Sequence, residues 1–74
     1  MIFTIEQLCL VAEVGGGLVL DASNFTFNQM ADICAAAVTG HASVIFHHVS
    51  ALTIHQLQAL ASAAPGLVSF DVTR

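Results

Sequence analysis

The chain has 74 residues, of which 57% are hydrophobic and only 8% are charged, and its formal net charge is −4. About a quarter of the residues in a typical soluble domain are charged, so this chain has little polar surface with which to cover a monomer. Arg74 is the only Lys or Arg in the sequence. Because contacts to phosphate depend on basic side chains, we expect no nucleic-acid binding.

The apolar segments are interrupted before they reach the length of a membrane span, which needs about 20 apolar residues. The interruptions are Glu13, the glycines at 15–17, Asp32, Gly40 and His41. Met1 leads directly into the first helical motif, without the basic region of a signal peptide. We therefore expect a cytoplasmic protein in which Cys9 and Cys34 are reduced and buried as small hydrophobic residues, a disulfide being the less favoured alternative.

One motif occurs three times, at residues 3–8, 25–30 and 52–57. It reads apolar, Thr, apolar, any residue, Gln, apolar. The Thr-x-x-Gln spacing is typical of a capping box, in which the Thr hydroxyl and the Gln side chain each accept a hydrogen bond from the other residue's backbone N–H. The apolar residue before each Thr can pack on the one that follows the Gln, as a hydrophobic staple. Three copies predict three helix starts and an internal repeat.

Helices and strands are predicted to alternate along the chain. The first helix begins at Thr4 and ends at the three glycines, the second runs from Thr26 to Gly40, and the third runs from Thr53 to Pro65. β-Branched and aromatic residues predict strands at 18–22, 44–49 and 67–72. The helix residues expected in the core are Leu8, Val11 and Ala12, then Met30, Ile33, Cys34 and Ala37, then Leu57, Leu60, Ala61 and Ala64.

Short connections between alternating helices and strands favour a parallel sheet with crossovers of one hand. The predicted fold is therefore α/β: a single domain, 1–74, of three αβ repeats at about 3–22, 25–49 and 52–72. We expect a solenoid-like arrangement with a three-stranded parallel sheet in the order 1-2-3 and all helices on one face.

The repeat motifs recur at intervals of 22 and 27 residues. Leu18, Leu20, Ser23 and Phe25 partly match the pattern Leu-x-x-Leu-x-Leu-x-x-Asn-x-Leu, with Ser in the Asn position. The second unit offers Ile45, His47, Ser50 and Leu52. In this respect the chain resembles the βα units of leucine-rich-repeat proteins, whose period is about 20–29 residues. The resemblance implies a protein-binding surface on the open face of the sheet.

Alternation of side chains divides each strand between a row that faces the helices and an open row. Counting back from the Thr motif that follows each strand places these residues toward the helices: Leu18, Leu20, Ala22, Ile45, His47, Val49, Val68, Phe70 and Val72. The open row then contains Ser23, Ser50 and Thr73 together with the candidate binding residues Val19, Asp21, Val44, Phe46, His48, Leu67, Ser69 and Asp71. No motif follows the third strand, and a slip of one residue there would exchange its faces.

The sequence contains no strong pattern for catalysis or for a bound cofactor or metal. Its four His lack the spacing of a zinc site, and its glycine run follows a helix, whereas a phosphate loop precedes one. We therefore expect a non-catalytic module that binds proteins and itself, as a homo-oligomer that uses the open sheet face or the edge strands.

The alternative is a small enzyme or metal-binding protein that uses Asp21, His48 and Asp71. The face assignment puts these three residues at the same position on neighbouring strands, so that His48 would lie between two carboxylates. Such a row would serve as a polar contact site, a pH-sensitive interface or a weak metal site, or it would only compensate charge.

Overall fold

The computed structural model describes residues 3–72, and within them helices and strands alternate as predicted. The elements are α1 (Ile5–Glu13), β1 (Leu18–Asp21), α2 (Phe27–Gly40), β2 (Val44–His47), α3 (Ile54–Ala63) and β3 (Val68–Phe70). A short 3-10 turn, Ala22–Asn24, follows β1. The strands form one parallel sheet in the order β1-β2-β3. The predicted α/β fold and its strand order are confirmed.

All three helices begin with the predicted capping box. The hydroxyls of Thr4, Thr26 and Thr53 accept from the backbone N–H of the Gln three residues later, and each Gln side chain accepts from its Thr N–H at 2.9 Å. The three Thr have nearly the same backbone angles, with φ from −77° to −74° and ψ from 161° to 163°. The repeat in the sequence is therefore a repeat in local structure.

The core lies between the helices and one face of the sheet. Val44 and Phe46 of β2 are 0% exposed and belong to the same cluster as Ile33 of α2 and Leu60 of α3. The outer strands supply residues that are only partly buried against this cluster: Leu18, Leu20, Val68 and Phe70. Phe46 and Phe70 stack with ring centroids 6.1 Å apart. The middle strand is thus the centre of the core, and the strands on either side of it are less covered.

The opposite face of the sheet is open. Val19 is 65% exposed and Ile45 is 36% exposed, and Ser69 is exposed beside them. The helices therefore all cover one face, as predicted. The predicted faces are confirmed for β1 and for the three residues of β3.

The predicted faces of β2 are wrong. Val44 and Phe46, expected on the open face, are in the core, and Ile45 is exposed instead. Asp21 and His47 occupy equivalent positions in the sheet. The connection from His47 to Thr53 is one residue longer than the connection from Asp21 to Thr26.

The additional residue is accommodated directly after β2, where His48 has a φ of 58°. This left-handed conformation breaks the alternation of an extended strand. Counting back from Thr53 therefore carries a slip of one residue into β2, and such a slip exchanges the two faces.

The ends of the third predicted strand also differ from expectation. Leu67, predicted on the open face, is half-buried against the core. Its N–H bonds to the Ala64 carbonyl, so it lies in the turn after α3 and not in β3, which begins at Val68. Strand alternation therefore does not extend to Leu67. Val72, predicted toward the helices, is 69% exposed and lies beyond the end of β3. Thr73 lies outside the described residues.

The capping box can be tested in the middle unit. Thr26→Ala removes the acceptor of the Gln29 N–H, and we expect the free energy of unfolding to fall by about 1 kcal/mol or somewhat more. Ser43→Ala changes an exposed residue just before β2, and we expect a change below about 0.5 kcal/mol. Urea unfolding of both variants gives the two values. Equal losses would show that the cap does not stabilise the repeat.

Candidate interaction surface

The open face of the sheet is a short row of side chains in register across the three strands. Val19 pairs with Ile45, and Ile45 pairs with Ser69. Because neighbouring strands lie about 4.8 Å apart, these three side chains form one continuous strip. Of the predicted binding residues, the strip includes Val19 and Ser69 but not Val44, Phe46 or Leu67. We call Val19, Ile45 and Ser69 the open strip.

Two Asp–His pairs lie beside the open strip, at the C-terminal ends of the strands. The Nδ1 atom of His47 is 2.9 Å from Oδ2 of Asp71, and the Nδ1 atom of His48 is 3.2 Å from Oδ2 of Asp21. The two imidazole rings have centroids 6.4 Å apart. The predicted residues Asp21, His48 and Asp71 are therefore near one another, but the histidine that bonds to Asp71 is His47.

Sequence reasoning missed Ile45 and His47 as residues of this surface. Both omissions result from the slip of one residue in β2. In the observed register, Ile45 and His47 occupy the open positions of the strand. The signal that would have found them is the length of the connection to the next Thr motif, which is one residue longer after β2 than after β1. A connection of unequal length must place its additional residue outside the regular strand.

Asp21 is held as a carboxylate by the turn that follows β1. The Ser23 hydroxyl donates to Oδ1 of Asp21, and the Ser23 backbone N–H donates to the same oxygen at 2.9 Å. These two hydrogen bonds, followed by the nearby His48 ring, lower the pKa of Asp21 below its ordinary value of 3.8. Asp21 therefore carries a negative charge at neutral pH.

The Asp–His pairs leave one ring nitrogen of each histidine for another partner. Because each Nδ1 lies against an aspartate, Nε2 is the atom with which another molecule can form a hydrogen bond. The histidine side chains are 40% and 54% exposed, so they are open to solvent. Within residues 3–72, no group of three His, Cys, Asp or Glu side chains is placed to hold a metal ion. The chemistry that the pairs offer is oriented hydrogen bonding at the edge of an apolar strip.

A cleft of about 400 Å³ lies beside the free edge of β1, where Phe3, Leu8, Leu20 and Phe25 contribute to its lining. A smaller cleft of about 310 Å³ shares Phe3 and Leu8 with it and extends to Val11. Together the two clefts form a groove between α1 and the edge of the sheet. Its side along α1 is apolar, whereas Asp21 and Asn24 add polar groups to the larger cleft.

Both cysteines are free, with Cys34 buried and Cys9 half-buried. Burial raises the pKa of the Cys34 thiol to about 11. Burial, followed by the charges of Asp32 and Glu13, also raises the pKa of Cys9. Because the thiolate is the nucleophilic form of cysteine, neither residue is activated for nucleophilic chemistry at neutral pH.

None of the helices in residues 3–72 combines the length and the hydropathy needed to cross a membrane. No protein-family model, no curated protein and no solved structure matches the chain. Its function must therefore be inferred from its own surface.

The Asp21 turn gives a test of the polar edge of this surface. We expect Ser23→Ala to raise the pKa of Asp21 more than His48→Ala does, because the Ser23 hydroxyl bond is the largest cause of the lowered pKa. Ser43→Ala is the control. The measurement is an NMR titration of the Asp21 carboxyl carbon, and a larger effect of His48→Ala would contradict the assignment.

The same change has a consequence for acid stability. A carboxyl group whose pKa is lowered by folding stabilises the folded state above the unfolded-state pKa, and the stabilisation is lost as the pH falls through the folded-state pKa. For Asp21 this loss occurs below its ordinary value of 3.8. The Ser23→Ala variant should therefore lose less stability over that acidic range than the unchanged protein does.

Proposed function

We propose that this chain is a non-catalytic repeat module that binds proteins, itself first, through the open face of its sheet. The observation that supports the proposal most directly is the position of Val19 and Ile45, which are adjacent, apolar and exposed at 65% and 36%. No element of the described residues covers them. Contiguous apolar side chains on a surface favour contact with another molecule.

The polar groups around the open strip fit this role. Interfaces commonly have an apolar centre and a polar rim that supplies hydrogen bonds. Here His47, His48, Asp21 and Asp71 form one side of such a rim: His47 is hydrogen-bonded to Asp71, and His48 lies 3.2 Å from Asp21 as an ion pair. A partner with complementary donors or acceptors is selected by this rim, whereas the open strip supplies non-directional attraction. The resemblance to leucine-rich repeats implies use of the same face.

The size of the open face indicates a weak contact. Three strands at about 4.8 Å and four residues at about 3.3 Å make a patch of about 14 by 13 Å, or roughly 200 Å². A stable interface buries about 800 Å² on each partner. Neighbouring loops must therefore contribute, and we expect association through this face to be reversible and to depend on concentration. The two free cysteines favour a reducing, cytoplasmic location for the protein.

The test is a charge placed at the centre of the open strip. Ile45→Glu puts a carboxylate where a partner would cover an apolar side chain, and we expect the average mass in solution to fall at any given concentration. Light scattering over a range of concentrations measures this mass. Asp21 and Asp71, at the C-terminal ends of the strands, would oppose the new charge in both the free and the bound protein, so circular dichroism must show that the variant is folded.

Leu10→Glu is the matched control, because Leu10 is 62% exposed on the outer side of α1 and the substitution makes the same change in charge. It should leave the mass unchanged. An equal effect of the two substitutions, or none from Ile45→Glu, would count against the open face as the contact surface.

A further inference from the structure

The Thr motifs align the three units residue by residue, so the burial of equivalent positions can be compared. Val11, Ile33 and Leu60 each lie seven residues after the Thr of their motif. Ile33 and Leu60 are 0% exposed, whereas Val11, which the sequence predicted in the core, is 44% exposed. Helix α2 packs against α1, and α3 packs against α2. This position is therefore buried in the two units that follow another unit and exposed in the first.

The opposite side of the helices shows the reverse pattern. Ile5, Phe27 and Ile54 directly follow the Thr of each motif. Ile5 and Phe27 are half-buried, whereas Ile54 is 64% exposed. The position four residues later, about one helical turn along, repeats the trend, since Cys9 and Ala31 are half-buried and Gln58 is exposed. This side is covered in the two units that another unit follows and open in the third.

Helix geometry explains why the two patterns are opposite. Successive residues are rotated by about 100° around the axis of an α-helix. In α1, Leu8 and Ala12 face the core and are buried. At that rotation Val11 lies about 80° to one side of this direction, and Ile5 and Cys9 lie about 40° to 80° to the other side. The two sides of each helix therefore contact the preceding unit and the following unit, respectively.

We propose that the exposed sides of the first and third units are the two halves of one interface, through which copies of this chain stack end to end. We call Phe3, Val11 and the adjoining groove the N-terminal end face. We call Ile54, Gln58 and Ala61 the C-terminal end face; Ala61 is half-buried, whereas the equivalent Ala12 and Cys34 are 0% exposed. The C-terminal end face of one copy covers the N-terminal end face of the next.

A second copy is the occupant that the internal packing favours. The contact would repeat the unit-to-unit packing that already joins α1 to α2 and α2 to α3. Val11 would then become buried like Ile33 and Leu60, and Ile54 would become half-buried like Ile5 and Phe27. The same chain carries both halves, so no other protein is needed to complete the interface.

The edges of the sheet are compatible with this arrangement. The strands β1 and β3 are the outer strands of one parallel sheet, so β3 of one copy can continue into β1 of the next in the same direction. An outer strand presents N–H and C=O groups that pair readily with another strand. In the middle unit, Phe46 occupies the register position of Leu20 and is 0% exposed, whereas Leu20 is half-buried and lines the groove. The preceding copy in the stack, whose β3 would lie beside this β1, would close the groove.

Gln58 is the one polar residue of the C-terminal end face. It stands where the other units have Cys9 and Ala31. A polar side chain there makes the contact between copies weaker than the contacts inside the chain, so the stack should be reversible. Because the two end faces differ, the contact is heterologous, and it forms open chains or rings.

The experiment uses two variants that each disable one end face. Both carry Ile45→Glu, so that the open face contributes nothing, and the parent for comparison is Ile45→Glu alone. Adding Val11→Glu disables the N-terminal end face, and adding Ile54→Glu disables the C-terminal end face. We expect each double variant to be a monomer by analytical ultracentrifugation, whereas the parent forms species larger than a dimer at high concentration.

An equimolar mixture of the two double variants is the decisive sample. One variant retains an intact N-terminal end face and the other an intact C-terminal end face, so they can form one contact and no more. We expect the mixture to form a dimer, twice the monomer mass, and nothing larger. Addition of Leu10→Glu to the parent is the control and should leave its assembly unchanged.

Several outcomes would overturn the proposal. A mixture that stays monomeric would do so, as would a parent that is monomeric at every concentration. Dimers of the Ile54→Glu variant alone would show that two N-terminal end faces pair with each other instead.

If the Val11→Glu variant does not fold by circular dichroism, Phe3→Glu replaces it, since Phe3 lies on the same end face and is 54% exposed. A lower mass for Ile45→Glu than for the unchanged protein would support the open-face contact even if the end-face contact fails.

Discussion

Each αβ unit of this chain can bury its apolar side chains only against a neighbouring unit. One helix and one short strand have no second layer of their own, so a unit is completed by the units on either side of it. The middle unit shows the result: Ile33, Cys34, Ala37, Val44 and Phe46 are all 0% exposed. The outer units keep the same local structure, down to the angles of their capping Thr, but each has one side without a neighbour. The rest of the surface chemistry follows from this constraint.

The constraint has large consequences because the chain has so few polar residues. Only 8% of its residues are charged, and in the described part the carboxylates and histidines with ion-pair partners lie together at the C-terminal ends of the strands. The open strip and the two end faces therefore keep exposed apolar side chains, among them Val19, Val11 and Ile54. A repeat protein normally protects its ends with polar capping units. Here the C-terminal end face carries Gln58 where the other two units have Cys9 and Ala31, and association between copies is the other way to cover the exposed apolar side chains.

The sequence predicted the fold well because its strongest signals are local. A capping box depends on residues within one turn of a helix, and all three boxes formed as expected from Thr-x-x-Gln. The order of the strands followed from the short and similar connections. The faces of β2 depended on a less local feature, the left-handed residue His48, which changes the register by one position without any Gly to indicate it. Ile45, the central residue of the open strip, and the pairing of His47 with Asp71 were missed for that reason. Val11 was placed in the core because its position in the helix is a core position, as the equivalent residues of the other helices, Ile33 and Leu60, show. The sequence alone does not show that burial of this position needs a preceding unit, and the described residues contain no unit before the first.

The most direct measurement is a series of amide NMR spectra recorded from dilute to concentrated protein. If the exposed apolar sides of the units drive association, the amide signals that move with concentration belong to the open strip and the two end faces, including Ile45, Val11 and Ile54. The signals of Leu10, Asp32 and Ala59, which occupy one equivalent position and are exposed in all three units, stay in place. Spectra that do not change with concentration, or changes confined to Leu10, Asp32 and Ala59, would contradict this account.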